Sequence, residues 1–174
     1  MRQLFSVWLV PAKADKEYLS KIINTLGENY DAPTFTPHLT LFGNITIELE
    51  HLKRIVNEVV DNFRVFKVKK TKVSQSELFF KTVFIEFELS EELKTLFIEI
   101  ARRTDNRDLS TFKPHISLIY KVMAENEKID IIRKLDIKDD FEISKVVINA
   151  PKKGDNDFLD VKKWQEVYEK PLVF

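Results

Sequence analysis

The chain has 174 residues, 44% of them hydrophobic and fourteen of them Phe, and its 28 Lys plus Arg balance its 28 Asp plus Glu. That is enough apolar surface for one compact domain over 1–174 and too little chain for two independent ones, while the zero net charge excludes a strong non-specific pull toward a phosphate backbone. The lack of cysteine excludes disulfides, thiolate nucleophiles and sulfur-built zinc sites.

Residues 3 to 10 predict a strand buried on both faces, with Leu4, Ser6, Trp8 and Val10 on one side and Phe5, Val7 and Leu9 on the other. Pro11 ends it. The stretch is too short for a signal h-region or a membrane span, so a cytoplasmic protein without membrane attachment is expected. From Asp15 to Asn29, Leu19, Ile22, Ile23 and Leu26 recur at helical spacing, with Gly27 as a stop signal. A strand is expected from Pro37 to Phe42, broken by Gly43-Asn44. A helix from Glu48 to Asn62 follows, with Leu52, Ile55, Val56, Val59 and Val60 on one face.

Arg64 to Val73 and Glu77 to Leu89 read as antiparallel neighbours joined by Ser74-Gln75-Ser76. Ser90 is a cap for a helix bearing Glu91 and Glu92 in its first turn and Leu93, Leu96, Phe97 and Ile100 as its buried stripe. The last third predicts a strand at Pro114 to Tyr120, a helix at Asn126 to Leu135, and strands at Phe141 to Ala150 and Lys163 to Glu169 around a loop from Pro151 to Asp160. Together these elements indicate an α+β fold with mainly antiparallel sheets. With three Gly in the chain, a Gly-rich phosphate loop has no raw material.

The chemistry is signalled by an internal match. Thr34-Phe35-Thr36-Pro37-His38-Leu39-Thr40-Leu41 recurs as Thr111-Phe112-Lys113-Pro114-His115-Ile116-Ser117-Leu118, and two of the three histidines occupy the same place in both copies. Strand periodicity points His38 with Thr40, and His115 with Ser117, while Leu39, Leu41, Ile116 and Leu118 face the other way as anchors. Each copy offers an imidazole that exchanges a proton near neutral pH and a hydroxyl that can donate to a phosphate oxygen. Two copies around one phosphate supply a base and an acid, and no metal or cofactor is required. A structural role for either histidine alone is the competing reading. Neither histidine is singled out as the acid. His51 lacks the motif, Phe35 and Phe112 read as packing, Lys81 as solvent-facing with the cleft as its alternative, and Trp164, Glu166 and Tyr168 as one packed face of the last strand.

At these residues the chain resembles the 2H phosphoesterase superfamily, marked by two His-x-Thr/Ser motifs in a two-lobed, pseudo-symmetric fold around a central cleft with helices outside. Within it, Ser6-Val7-Trp8 followed by Pro11, and Pro114 to Tyr120, are most similar to cyclic nucleotide phosphodiesterases of the plant and yeast type. The resemblance implies hydrolysis of a nucleoside 2′,3′-cyclic phosphate, or of ADP-ribose 1″,2″-cyclic phosphate, to a monophosphate. It further implies Trp8 against the base and Tyr120 near the phosphate, each with packing as its alternative. The plant members' cysteines have no counterpart here. The expected partner is a small cyclic nucleotide bound by a monomer. RNA ends, handled by a 2′-5′ RNA ligase or phosphodiesterase, are one alternative; a non-catalytic nucleotide-binding module is the other.

Overall fold

The structure is a computed structural model that describes residues 4–152 and 161–173. Seven strands and four helices follow in the order β1 (Phe5–Pro11), α1 (Lys13–Tyr30), β2 (Leu39–Ile45), α2 (Leu49–Val60), β3 (Phe66–Gln75), β4 (Val83–Phe87), α3 (Glu91–Ala101), β5 (His115–Ile119), α4 (Glu125–Lys134), β6 (Asp140–Pro151) and β7 (Trp164–Pro171). All strand neighbours are antiparallel, in the order β1-β2-β5-β4-β3-β6-β7, with β6 also pairing β1.

These pairings divide into two lobes. One contains β2, β1, β7 and the latter part of β6; the other contains β5, β4, β3 and the start of β6, where Phe66 to Lys69 face Ile143 to Asp140. Exchanging β1, β2 and β3 for β4, β5 and β6 leaves the pairing scheme of those six strands unchanged. The duplication seen in the motif thus extends to the connectivity. The lobes also meet at Leu39 and Ile116, the residues that follow the two histidines.

The helices cover the outer faces. Leu19 and Ile23 of α1, Leu52 and Val56 of α2, Leu93 and Leu96 of α3 and Ile131 of α4 join Val7, Leu9, Leu39, Ile85 and Ile116 in one core. Each such side chain contributes about 1.5–3 kcal/mol when withdrawn from water. The opposite face of β1 carries a second, smaller cluster of Trp8, Val10 and Val147, with Trp164 against it. As its side-chain alternation requires, β1 is buried on both sides.

Three local expectations need correcting. The strand expected over Glu77 to Leu89 opens instead with a 3₁₀ turn at Phe79–Lys81, and only Val83–Phe87 is strand. The Ser76 hydroxyl bonds the Lys81 carbonyl and accepts from the Leu78 amide at 3.2 Å, while Thr82 Oγ1 donates to the Lys121 carbonyl at 2.7 Å. Local side-chain bonds to the backbone outcompete the ladder here.

Gly43-Asn44 does not end β2. Asn44 takes a left-handed φ of 58°, the β1–β2 register shifts nearby, and the strand continues to Ile45 as a bulge. Gly27 likewise is no stop: α1 runs on to Tyr30 and closes at Asp31, whose φ is 49°. A Cβ at Gly27 would lie 3.0 Å from the Ala32 carbonyl oxygen and 3.0 Å from Thr34 Cγ2. Glycine is needed there because the chain returns so closely.

Other boundaries agree within a residue or two, the ordinary fraying of element ends. Ser90 caps α3 as expected, its hydroxyl accepting from the Leu93 amide at 3.3 Å. Of the expected loop from Pro151 to Asp160, Pro151 closes β6 and residues 153–160 lie outside the described residues.

Candidate active site

The two motif segments lie side by side where the lobes meet. Leu39, Ile116 and Leu118 are fully buried and Leu41 nearly so, which leaves the alternate positions, His38, Thr40, His115 and Ser117, on the wall of a shared cleft. The cleft has a volume of about 780 Å³ and is also lined by Trp8, Phe80, Lys81, Tyr120, Asn149 and Trp164. That volume lies in the roughly 300–1,000 Å³ range of small-molecule sites.

Both imidazoles are held in the same way. His38 Nδ1 lies 2.7 Å from the Thr36 carbonyl oxygen and His115 Nδ1 lies 2.8 Å from the Lys113 carbonyl oxygen, each two residues upstream and at equivalent places in the repeat. A carbonyl only accepts, so each Nδ1 carries the hydrogen and the neutral ring keeps Nε2 as its free lone pair.

Their surroundings differ. His38 is 7% exposed and lies flat against Trp8, with ring centroids 3.6 Å apart and planes 13° from parallel, while the edge of Phe35 closes another side at 6.4 Å. Burial is the main cause that lowers its pKa to about 4; the bond to Thr36 opposes this, and the charge of a protonated His115 adds to it. His115 is less enclosed, with the edge of Phe84 at 5.5 Å and Glu86 opposite it on β4. Burial also lowers its pKa, and the Lys81 charge pushes it further down, while the Lys113 carbonyl bond and Glu86 raise it.

Thr40 sits half-buried across from Trp8. Ser117 is 5% exposed, and its hydroxyl donates to the Phe80 carbonyl at 2.7 Å. Tyr120 is 3% exposed and stacks on Phe35 at 3.7 Å. Burial holds its phenol pKa well above the ordinary value, so the hydroxyl stays a donor. Among the described residues, no group of three or more His, Cys, Asp or Glu is arranged to hold a metal ion.

The model of the family described as "Cyclic phosphodiesterase-like protein" matches residues 4–167. The chain belongs to that family. Its membership makes it a phosphodiesterase and places it among the 2H phosphoesterases that the twin motifs resemble. A cyclic phosphodiesterase of Arabidopsis thaliana is 22% identical over 127 residues, covering 73% of this chain and 70% of that protein. Among solved structures, Escherichia coli LigT complexed with 3′-AMP superposes with a TM-score of 0.61 at 11% identity over 100% of both chains. The protein TT0787 of Thermus thermophilus gives 0.62 at 11% identity over 97% of each. At such identities these neighbours share the fold.

As a cyclic phosphodiesterase-like protein, the chain brings all six residues singled out from sequence, His38, Thr40, His115, Ser117, Tyr120 and Trp8, to one cleft. Trp8 lies there with one face already covered by His38, and is 5% exposed. His51 lies on α2, away from the cleft. Lys81 is not the solvent-facing residue expected: it lines the cleft with Nζ 4.3 Å from the Phe84 ring centre, and burial lowers its pKa. The 3₁₀ turn carries it there. Trp164 both packs and lines the cleft, 5.6 Å from Trp8 and 5.4 Å from Phe80. Phe80 and Asn149 were missed altogether. Nothing in a single strand's pattern could reveal them, because their role depends on which strands become neighbours.

Proposed function

We propose that this protein hydrolyses a cyclic phosphodiester, a nucleoside 2′,3′-cyclic phosphate or ADP-ribose 1″,2″-cyclic phosphate, to a monophosphate without a metal ion, using His38 as general base and His115 as general acid. The observation that carries the reading is the matched pair of imidazoles. Each is fixed through Nδ1 to its own backbone and lines the same cleft with Nε2 unspent. Water attacks phosphorus as His38 Nε2 takes its proton, and the phosphorus bond to one ribose oxygen breaks as His115 gives that oxygen a proton. The ring opens to a monophosphate, and the two histidines exchange their protonation states through solvent.

Burial against Trp8 keeps His38 neutral and ready to accept. His115, facing Glu86, gains its proton when the substrate anion enters the cleft. Thr40 and Tyr120 donate to the non-bridging oxygens, and Ser117 joins them by exchanging the Phe80 carbonyl for a phosphate oxygen. Lys81 is the one Lys, Arg, Asp or Glu among the described residues that line the cleft. A polynucleotide track would need a longer basic rim, so the cleft suits a small substrate better than an RNA end. The same proposal takes the protein as a cytoplasmic monomer; none of its described helices is long and apolar enough to cross a membrane.

The test is turnover of both classes of cyclic ester in EDTA by the parent and by His38→Ala and His115→Ala. Parent activity should survive chelation and each variant should lose about 10²–10⁴-fold. A p-nitrophenyl phosphodiester, whose leaving group needs no proton, should recover activity with His115→Ala but not with His38→Ala. Recovery with the opposite variant reverses the roles, and activity abolished by EDTA overturns the metal-free reading.

A further inference from the structure

The chemistry above leaves one enclosed cleft residue without a task. Asn149, on β6, is 4% exposed, lines the cleft, and has no side-chain hydrogen-bond partner among the described residues. Among those residues every fully buried polar side-chain atom is bonded. The carboxamide, unanswered among the described residues, must therefore reach the open space of the cleft, where a ligand or water can answer it.

Its position relates it to the phosphate site. Asn149 faces Ser6 on β1, and Trp8, two residues further along β1, faces Thr40 on β2. Thr40 and Asn149 therefore flank β1 from opposite sides, about 7 Å apart along the strands and about 9.6 Å across them, roughly 12 Å between backbones. With a side chain reaching in from each end, that span leaves room for a nucleotide whose phosphate meets Thr40 and whose base edge meets Asn149. Pro151, next on the same face of β6, pairs with Trp164, whose half-buried ring supplies a flat apolar surface beside the amide. Trp8 cannot offer the face that His38 covers.

We propose that Asn149 is a specificity determinant whose carboxamide hydrogen-bonds the polar edge of a nucleobase. It thereby selects nucleoside 2′,3′-cyclic phosphates over cyclic phosphates whose ribose carries no base, ADP-ribose 1″,2″-cyclic phosphate included. An amide presents a donor and an acceptor side by side, and each common base shows an adjacent donor and acceptor on its pairing edge. The residue therefore selects for the presence of a base without choosing among bases. This rests on the phosphodiesterase reading of the same cleft.

The experiment compares the parent with Asn149→Leu on uridine 2′,3′-cyclic phosphate and on methyl ribofuranoside 2,3-cyclic phosphate, which lacks the base. It also measures the binding of uridine 2′-phosphate and ribose 2-phosphate by calorimetry. The variant should lose about tenfold in kcat/KM and in affinity for the uridine compounds, and stay within twofold of the parent on the baseless ones. A parallel loss on both kinds of ligand overturns the proposal by making Asn149 structural, and no loss on either overturns it by showing that the amide does not touch the base. A parent that turns over nothing yet binds the uridine compound through Asn149 sinks the catalytic reading and leaves the base site standing.

Discussion

The pKa of His38 offers a quantitative test of the burial argument. Its depression from 6.5 to about 4 is attributed mainly to desolvation in the sandwich beside Trp8. At 1.36 kcal/mol per pH unit, that depression corresponds to about 3 kcal/mol against protonation in the folded state. A tryptophan face attracts an imidazolium by about 1–2 kcal/mol. Crediting that attraction in full still leaves His38 titrating below its ordinary value. The sign of the stability effect follows. Above pH 6.5 the ring is neutral both folded and unfolded and has no effect, whereas between 6.5 and about 4 the unfolded chain takes up a proton that the folded one refuses.

Stability is therefore lost as pH falls through that window, by about 2–3 kcal/mol near pH 4.5 from this residue alone. Urea unfolding of the parent and of His38→Gln at pH 7.5 and pH 4.5 measures it, because the variant lacks the proton site and should lose that much less on acidification. NMR titration supplies the direct reading, and three histidines make assignment by single substitution simple. Equal acid sensitivity in parent and variant, or a His38 pKa at 6.5 or above in the free protein, would refute the argument.

Lys81→Met should let the His115 pKa rise, since the lysine charge helps to hold it down, and the same NMR titration reads the shift. Lys128 is 1% exposed and donates to the Ser76 carbonyl at 3.1 Å and to Glu77, which secures the start of the turn bearing Phe80 and Lys81. Lys128→Met should destabilise by about 1–3 kcal/mol through the orphaned carbonyl and raise KM as the cleft wall loosens, seen in thermal melts and steady-state kinetics. Gly27→Ala should cost about 1–3 kcal/mol, because its Cβ meets the Ala32 carbonyl and Thr34 at 3.0 Å, and should leave kcat unchanged.

The sequence was most informative where two signals coincided. The repeated Pro-His pair located the cleft wall because alternation along a strand fixes which residues share a face, and the structure puts His38, Thr40, His115 and Ser117 on one cleft. Helices α2 and α3 were legible from apolar periodicity, and the Ser90 cap from residue type. The turn at Phe79–Lys81 was hidden inside an apolar run that looks like strand, and what bends it is hydrogen bonding by Ser76 and Thr82. Lys81 was misjudged, and the cleft-facing side of Trp164 missed, for a related reason. A lysine's or a tryptophan's surroundings depend on which strands pair, and periodicity within one segment carries no record of that.

The exchange of strands between the halves bears on how the molecule could be assembled. β3, from the first half, completes the sheet of β4 and β5, while β6, from the second, completes the sheet of β1 and β2. Such pairing is what two half-length chains would form by trading their last strands, with the stretch from Ser76 to Thr82 as the later covalent join. Neither half owns a finished sheet, so neither should be stable alone, yet a backbone nick in that join would leave every strand pair intact. Two fragments mixed in equal amounts should then find each other and rebuild the cleft, with one histidine contributed by each.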